Sequence, residues 1–167
     1  LFAGLASINS IELPNSLTAI GKQAFRDMEA LNCSVMIPSN VTTIDENPFI
    51  KTPITEFKVE SDNTTFVVDN GVLYDNVAKR LVAYPSGKEE ITYTIKTDTK
   101  VIGVYAFLNE NEIKEVILPE GLETIDGGAF QATGLEKITI PNSVNEVSWF
   151  AFASSSNLKY VYFKPTS

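Results

Sequence analysis

Gly121–Val144, GLETIDGGAFQATGLEKITIPNSV, decides how the chain is read. Alone it is two apolar patches in a loop-rich fragment. Beside its neighbours it is one unit of an array: Ile125, Ala129-Phe130, Ile138, Ile140 and Pro141 have counterparts at the same offsets along most of the chain. Toward the N-terminus these are Ile11, Leu13, Pro14, Leu17, Ile20 and Ala24-Phe25, followed by Val35, Ile37, Pro38, Val41, Ile44 and Pro48-Phe49. Ile95, Ile102, Ala106-Phe107, Val116, Leu118, Pro119 and Leu122 come next. Val144, Val147 and Ala151-Phe152 then complete a copy, and Leu158, Val161 and Phe163 open another. Equivalent prolines are 24 residues apart at Pro14 and Pro38 and 22 apart at Pro119 and Pro141. Near-constant spacing in this range means that each unit is one coil of a solenoid, because loops of a sandwich are not held to a common length.

Within a unit, LEKITIP alternates apolar and polar residues over its second half and reads as a short strand. Proline ends the strand because it has no N–H to continue a ladder. NSLTAIG and NSVNEVS follow, with apolar residues three apart, and fit either a second short strand or a turn with an inward face. IGKQAF and IDGGAF fit a tight bend or a single helical turn, with Phe filling the space between coils. About seven strand-bearing rungs of 22–24 residues are expected, a β-rich solenoid of short parallel strands.

The array is interrupted once. Val59 and Ile95 are 36 residues apart, about 14 more than a rung uses. The excess holds Asp69-Asn70-Gly71 between Phe66-Val67-Val68 and Val72-Leu73-Tyr74, the signature of a β-hairpin, and then a third strand, Leu81–Tyr84, stopped by Pro85-Ser86-Gly87. A hairpin-like insertion near residues 62–88 therefore breaks the stack, within a single repeat domain over 1–167. The rungs beside it depart from the pattern, with Pro48 in place of alanine and Lys96 in place of proline. The first residues begin inside a repeat, so a piece of a longer array is expected.

The recurring Ile-Pro, Ile-Gly and Ala-Phe pairs resemble the BspA-like bacterial leucine-rich repeats, with a consensus similar to LxxIxIPxSVTxIGxxAFxxC. The resemblance covers nearly the whole chain, and GVLYD with LVAYPSGK looks like an element that interrupts such arrays. It implies a leucine-rich-repeat solenoid on a cell-surface or secreted bacterial protein, in some relatives an adhesin. The family's cysteine three residues after Phe is Met28, Glu110, Thr133 and Ser155 here, so no cysteine ladder is expected.

Composition narrows the function. The formal charge is −8, with 13 Lys and Arg against 21 Asp and Glu, so nucleic acid and anionic membrane surfaces are poor partners. No apolar run approaches the roughly 20 residues that span a bilayer, and no targeting signal is visible. Cys33 is a lone cysteine in or beside a core, and histidine is absent, which removes a Cys/His metal cluster and the commonest general base. Glu60, Asp62, Asp69 and Asp75 offer hard oxygens without calcium-loop spacing. Glu89-Glu90, Glu110-Glu112 and Glu136 read as solvated charge. No enzyme, cofactor or metal is expected.

Two functions fit a repeat domain of this kind. One is a protein- or glycan-binding module, with a host matrix protein, surface protein or glycan as partner. The other is a structural spacer carrying another domain, and end-to-end self-association through uncapped rungs fits either. In the strands the residue between the last two apolar positions points outward. These residues are Glu12, Met36, Lys58, Thr94, Ile117, Thr139 and Tyr162, and an apolar strip there would be a binding face. Trp149 is an additional contact or a contact with the next rung; Tyr160, beside Tyr162, stacks on a sugar or caps the array. Gly127-Gly128, aligned with Lys22-Gln23 and Trp149-Phe150, reads as a bend that tolerates many side chains.

Overall fold

The computed structural model describes residues 2–165. The chain forms two compact units, Leu1–Lys88 and Glu89–Ser167. Each is a β-solenoid, and no helix occurs among the described residues.

The first unit contains β1 (Ala19–Ile20), β2 (Ser34–Ile37), β3 (Thr43–Ile44), β4 (Glu56–Val59), β5 (Phe66–Asp69), β6 (Val72–Asp75) and β7 (Arg80–Ala83). β2 and β4, the strands ahead of the turn, pair in parallel with Met36 beside Lys58. β1 and β3 are the second, two-residue strands of their rungs and also pair in parallel. The alternation in β2 puts Val35 and Ile37 inside and Ser34 and Met36 outside, as period two requires. Ile8–Leu13 is the exception, because it forms no strand. Ile11 and Leu13 still pack against the core, since apolar contact is non-directional and does not need the ladder.

The interruption is an antiparallel meander of β5, β6 and β7. Its first turn is Asn70-Gly71, both at positive φ (47° and 78°), the backbone of a two-residue turn whose twist suits a hairpin. Buried Asn63 ties the meander to the preceding rung. Its Nδ2 donates to the carbonyls of Pro38 and Val41 at 2.8 and 3.0 Å, and its Oδ1 accepts from the N–H groups of Thr65 and Phe66 at 2.9 and 2.8 Å.

The second unit contains β8 (Thr92–Thr94), β9 (Val101–Ile102), β10 (Glu115–Ile117), β11 (Thr124–Ile125), β12 (Lys137–Ile140), β13 (Glu146–Val147) and β14 (Tyr160–Phe163). β8, β10, β12 and β14 lie in order in one parallel sheet, and β9, β11 and β13 in another. Six of the seven expected stretches are therefore strands.

The proline turn is the same in every rung. The residue three after proline donates its N–H to the proline carbonyl, as Leu17 does to Pro14 at 2.9 Å and Leu122 to Pro119 at 3.0 Å. Only the carbonyl is used, so Lys96 fills the position equally well, accepting from Thr99 at 3.1 Å.

A third backbone ladder lies at the Phe turns. Tyr105, Phe107 and Asn109 donate to the carbonyls of Gly127, Ala129 and Gln131, and Gly128, Phe130 and Ala132 donate to those of Trp149, Ala151 and Ala153. Positive φ recurs two residues before Phe, at Gln23, Tyr105, Gly128 and Phe150, and two after it, at Asp27, Lys51, Asn109, Ala132 and Ser154. The phenyl rings stack along the ladder, with 5.0 Å between Phe107 and Phe130 and 5.3 Å between Phe130 and Phe152. Phe25 and Phe49 stack likewise in the first unit. Phe152, expected in the core with the others, is half-buried, and Phe163 is exposed although its register partner is inward Ile140. No residue of the described chain lies over them.

Beneath these rings, the position three after Phe is buried: Met28, Thr52, Glu110, Thr133 and Ser155. The Ser155 hydroxyl donates to the Phe130 carbonyl at 2.7 Å and accepts from the Thr133 N–H at 3.1 Å. Glu110 is thus not the solvated charge its sequence context suggests, because this rung position faces inward.

Candidate functional site

The outward strand faces hold the residues picked from the sequence. In the first unit Met36 and Lys58 are neighbours across β2 and β4, and Lys58 Nζ lies 2.8 Å from Glu56 Oε1 on its own strand. Glu12 is exposed but belongs to no strand. In the second unit Thr94, Ile117, Thr139 and Tyr162 are all exposed; Thr94 and Ile117 are register partners, as are Thr139 and Tyr162. The side chains of greatest interest are well exposed, at 46% for Met36, 47% for Ile117 and 53% for Tyr162.

A second outward column runs beside the first, formed by Thr92, Glu115, Lys137 and Tyr160. Lys137 Nζ sits 3.1 Å from Glu115 Oε1. The tyrosine rings of β14 are nearly parallel, 8° apart in plane with centroids 6.1 Å apart. Of this column only Tyr160 was singled out from sequence. Alternation within each strand, taken two residues further back, marks the other three. A shallow groove of about 250 Å³ opens on this face, lined by Glu115, Ile117, Glu120, Lys137, Thr139 and Lys164. Lys164 pairs with Glu120.

Trp149 belongs to the Phe-turn region, away from the strand columns. It is 55% exposed, yet one side of its indole lies against the preceding rung. A Cβ added to Gly127 would come within 2.3 Å of the indole, and one added to Gly128 within 2.5 Å of the Tyr105 ring. The glycine pair is therefore a floor under two aromatic groups and does not tolerate arbitrary side chains in this rung. A one-chain alignment misses this because the glycines are matched to the residues of the neighbouring rungs that lean over them.

Two of the carboxylates considered for calcium, Glu60 and Asp75, accept backbone hydrogen bonds. Glu60 accepts from the Ser39 N–H at 2.8 Å, and Asp75 Oδ1 from the N–H groups of Val77 and Ala78 at 3.0 and 2.8 Å. Among the described residues no group of three or more His, Cys, Asp or Glu is arranged to hold a metal, and no helix is long and apolar enough to cross a membrane.

A parallel-strand solenoid with a repeating strand, proline turn and Phe turn is a leucine-rich-repeat architecture. The model of the BspA type leucine rich repeat region matches in six copies over residues 1–76 and 86–167, and the chain belongs to that family. A search of curated proteins finds no significant match. Among solved structures, a leucine-rich repeat protein from Eubacterium ventriosum is 28% identical with a TM-score of 0.86, over 93% of this chain and 42% of that one. The pneumococcal vaccine antigen PcpA is 24% identical with a TM-score of 0.71, over 88% of this chain and 42% of that one. A leucine rich cell surface protein from Faecalibacterium prausnitzii is 20% identical with a TM-score of 0.69, over 96% of this chain and 55% of that one. The latter two are alike in fold alone. The chain spans about half the length of these relatives, or less.

Proposed function

We propose that the chain is a non-catalytic binding module of a bacterial cell-surface or secreted protein, using its outward strand faces to hold a host protein or glycan. The observation that carries this reading is the exposure of Met36, Ile117 and Tyr162 at strand positions that an ordinary solvated face fills with polar groups. Family membership supports the surface location. The interacting residues are Met36 and Lys58 in the first unit and Thr94, Ile117, Thr139 and Tyr162 in the second, with Trp149 and Tyr160 as further contacts. On this reading residues 1–167 act as a single repeat domain.

The test is a screen of the purified chain against host matrix proteins and glycans, repeated with Met36→Lys and Tyr162→Ala. A saturable ligand weakened by either substitution is the expected result. No saturable ligand across the screen overturns the reading in favour of a spacer that carries another domain.

A further inference from the structure

We propose that the outward face of β8, β10, β12 and β14 takes an uncharged, extended β-linked glycan, laid across the strands with its end against the Tyr160 and Tyr162 pair of β14. This deepens the binding-module reading and rests on it.

Charge selects the ligand class. The one lysine of the two outward columns, Lys137, is paired with Glu115, and Lys164 at the edge of the groove is paired with Glu120. To hold a carboxylate, sulfate or phosphate these lysines would have to give up their present partners, and a chain of net charge −8 repels acidic polymers. A neutral ligand meets neither obstacle.

Shape and chemistry then favour a sugar. Tyrosine offers an apolar ring face and a hydroxyl at its edge, which together match the two kinds of surface on a pyranose. Thr92, Thr94 and Thr139 add exposed hydroxyls on the same columns. Along a column, side chains repeat at the strand spacing of about 4.8 Å, close to the advance per ring of an extended β-linked hexopyranose chain. A polypeptide laid on this sheet finds less. Strand addition needs a free sheet edge, which this sheet offers only beyond β8 and β14; across the face itself the backbone groups of β10 and β12 are engaged with strands on both sides.

The probes are cellohexaose, mannohexaose and chitohexaose, with a hyaluronan hexasaccharide as the acidic comparison, titrated against the whole chain and followed by calorimetry and tyrosine fluorescence. At least one neutral probe is expected to bind saturably, with little dependence on salt. Tyr160→Ala and Tyr162→Ala each weaken it about tenfold with unchanged thermal denaturation, while Val77→Ser at the exposed tip of the meander leaves it alone. Failure of all three neutral probes overturns the glycan proposal, as does binding that is indifferent to both tyrosines. If a matrix protein then binds and is lost in Tyr162→Ala, the binding face stands with a protein partner. If neither class binds, both proposals fall.

Discussion

Tyr105 and Trp149 meet edge to face, 5.8 Å between ring centroids and 75° between planes, across the backbone of a rung to which neither belongs. Gly127 and Gly128 are the part of that rung which they cover. A contact that skips a rung adds a tie beyond nearest-neighbour stacking, the interaction that dominates repeat proteins.

Gly127→Ala is therefore expected to destabilise the chain by about 1–3 kcal/mol, the usual cost of overpacking. In the double variant with Trp149→Ala most of that cost should vanish, because the methyl group then has room. A urea-denaturation cycle measures the coupling, and strictly additive single and double variants would refute the account.

The Phe stack predicts a graded response. Phe130→Ala, at the fully buried ring between Phe107 and Phe152, should cost about 3–5 kcal/mol. Phe152→Ala should cost clearly less, since its ring is half-buried and solvent already reaches it. Equal losses in chemical denaturation would contradict this ordering.

Asn63→Ala removes four hydrogen bonds, two to the preceding rung and two to the start of the meander. The groups left unpaired are mostly buried, and leaving even one such group unsatisfied costs about 1–3 kcal/mol. Hydrogen exchange should show faster opening at Thr65 and Phe66, whose N–H groups lose their acceptor. Unchanged protection at both would remove Asn63 from this role.

Ser155→Ala should likewise cost about 1–3 kcal/mol, because its hydroxyl serves the Phe130 carbonyl and the Thr133 N–H together. Ser155→Thr, which keeps the hydroxyl and matches Thr133 one rung earlier, should recover most of the loss. Recovery by Ser155→Val in place of Thr would point to side-chain volume as the cause.

The strands, proline turns and hairpin were legible in the sequence because each depends on a local signal: alternation, a missing N–H, or the Asn70-Gly71 pair. Such signals do not require knowledge of what lies above or below. The outward columns followed from the same alternation. Glu110 was misread because charge is a weaker guide than rung position, and the position three after Phe proved to face inward in every copy. Asn63 carries no repeat signature and sits in the insertion, so its acceptors, 22 and 25 residues away, cannot be inferred from its neighbours in sequence. The ligand is not a property of the repeat, which specifies a surface and leaves its chemistry to residues that vary between rungs.

The ladder at the Phe turns gives the stack an electrical direction. In each rung of the second unit the N–H groups that take part face the following rung, and the carbonyls that take part face the preceding one. The peptide dipoles of this wall consequently add along the solenoid axis, as they do in a helix, whereas in ordinary sheets they largely cancel. A rung can then be inserted or removed without changing the interface it offers, but a reversed rung would set carbonyl against carbonyl. The array is a vector, and it can be lengthened only head to tail.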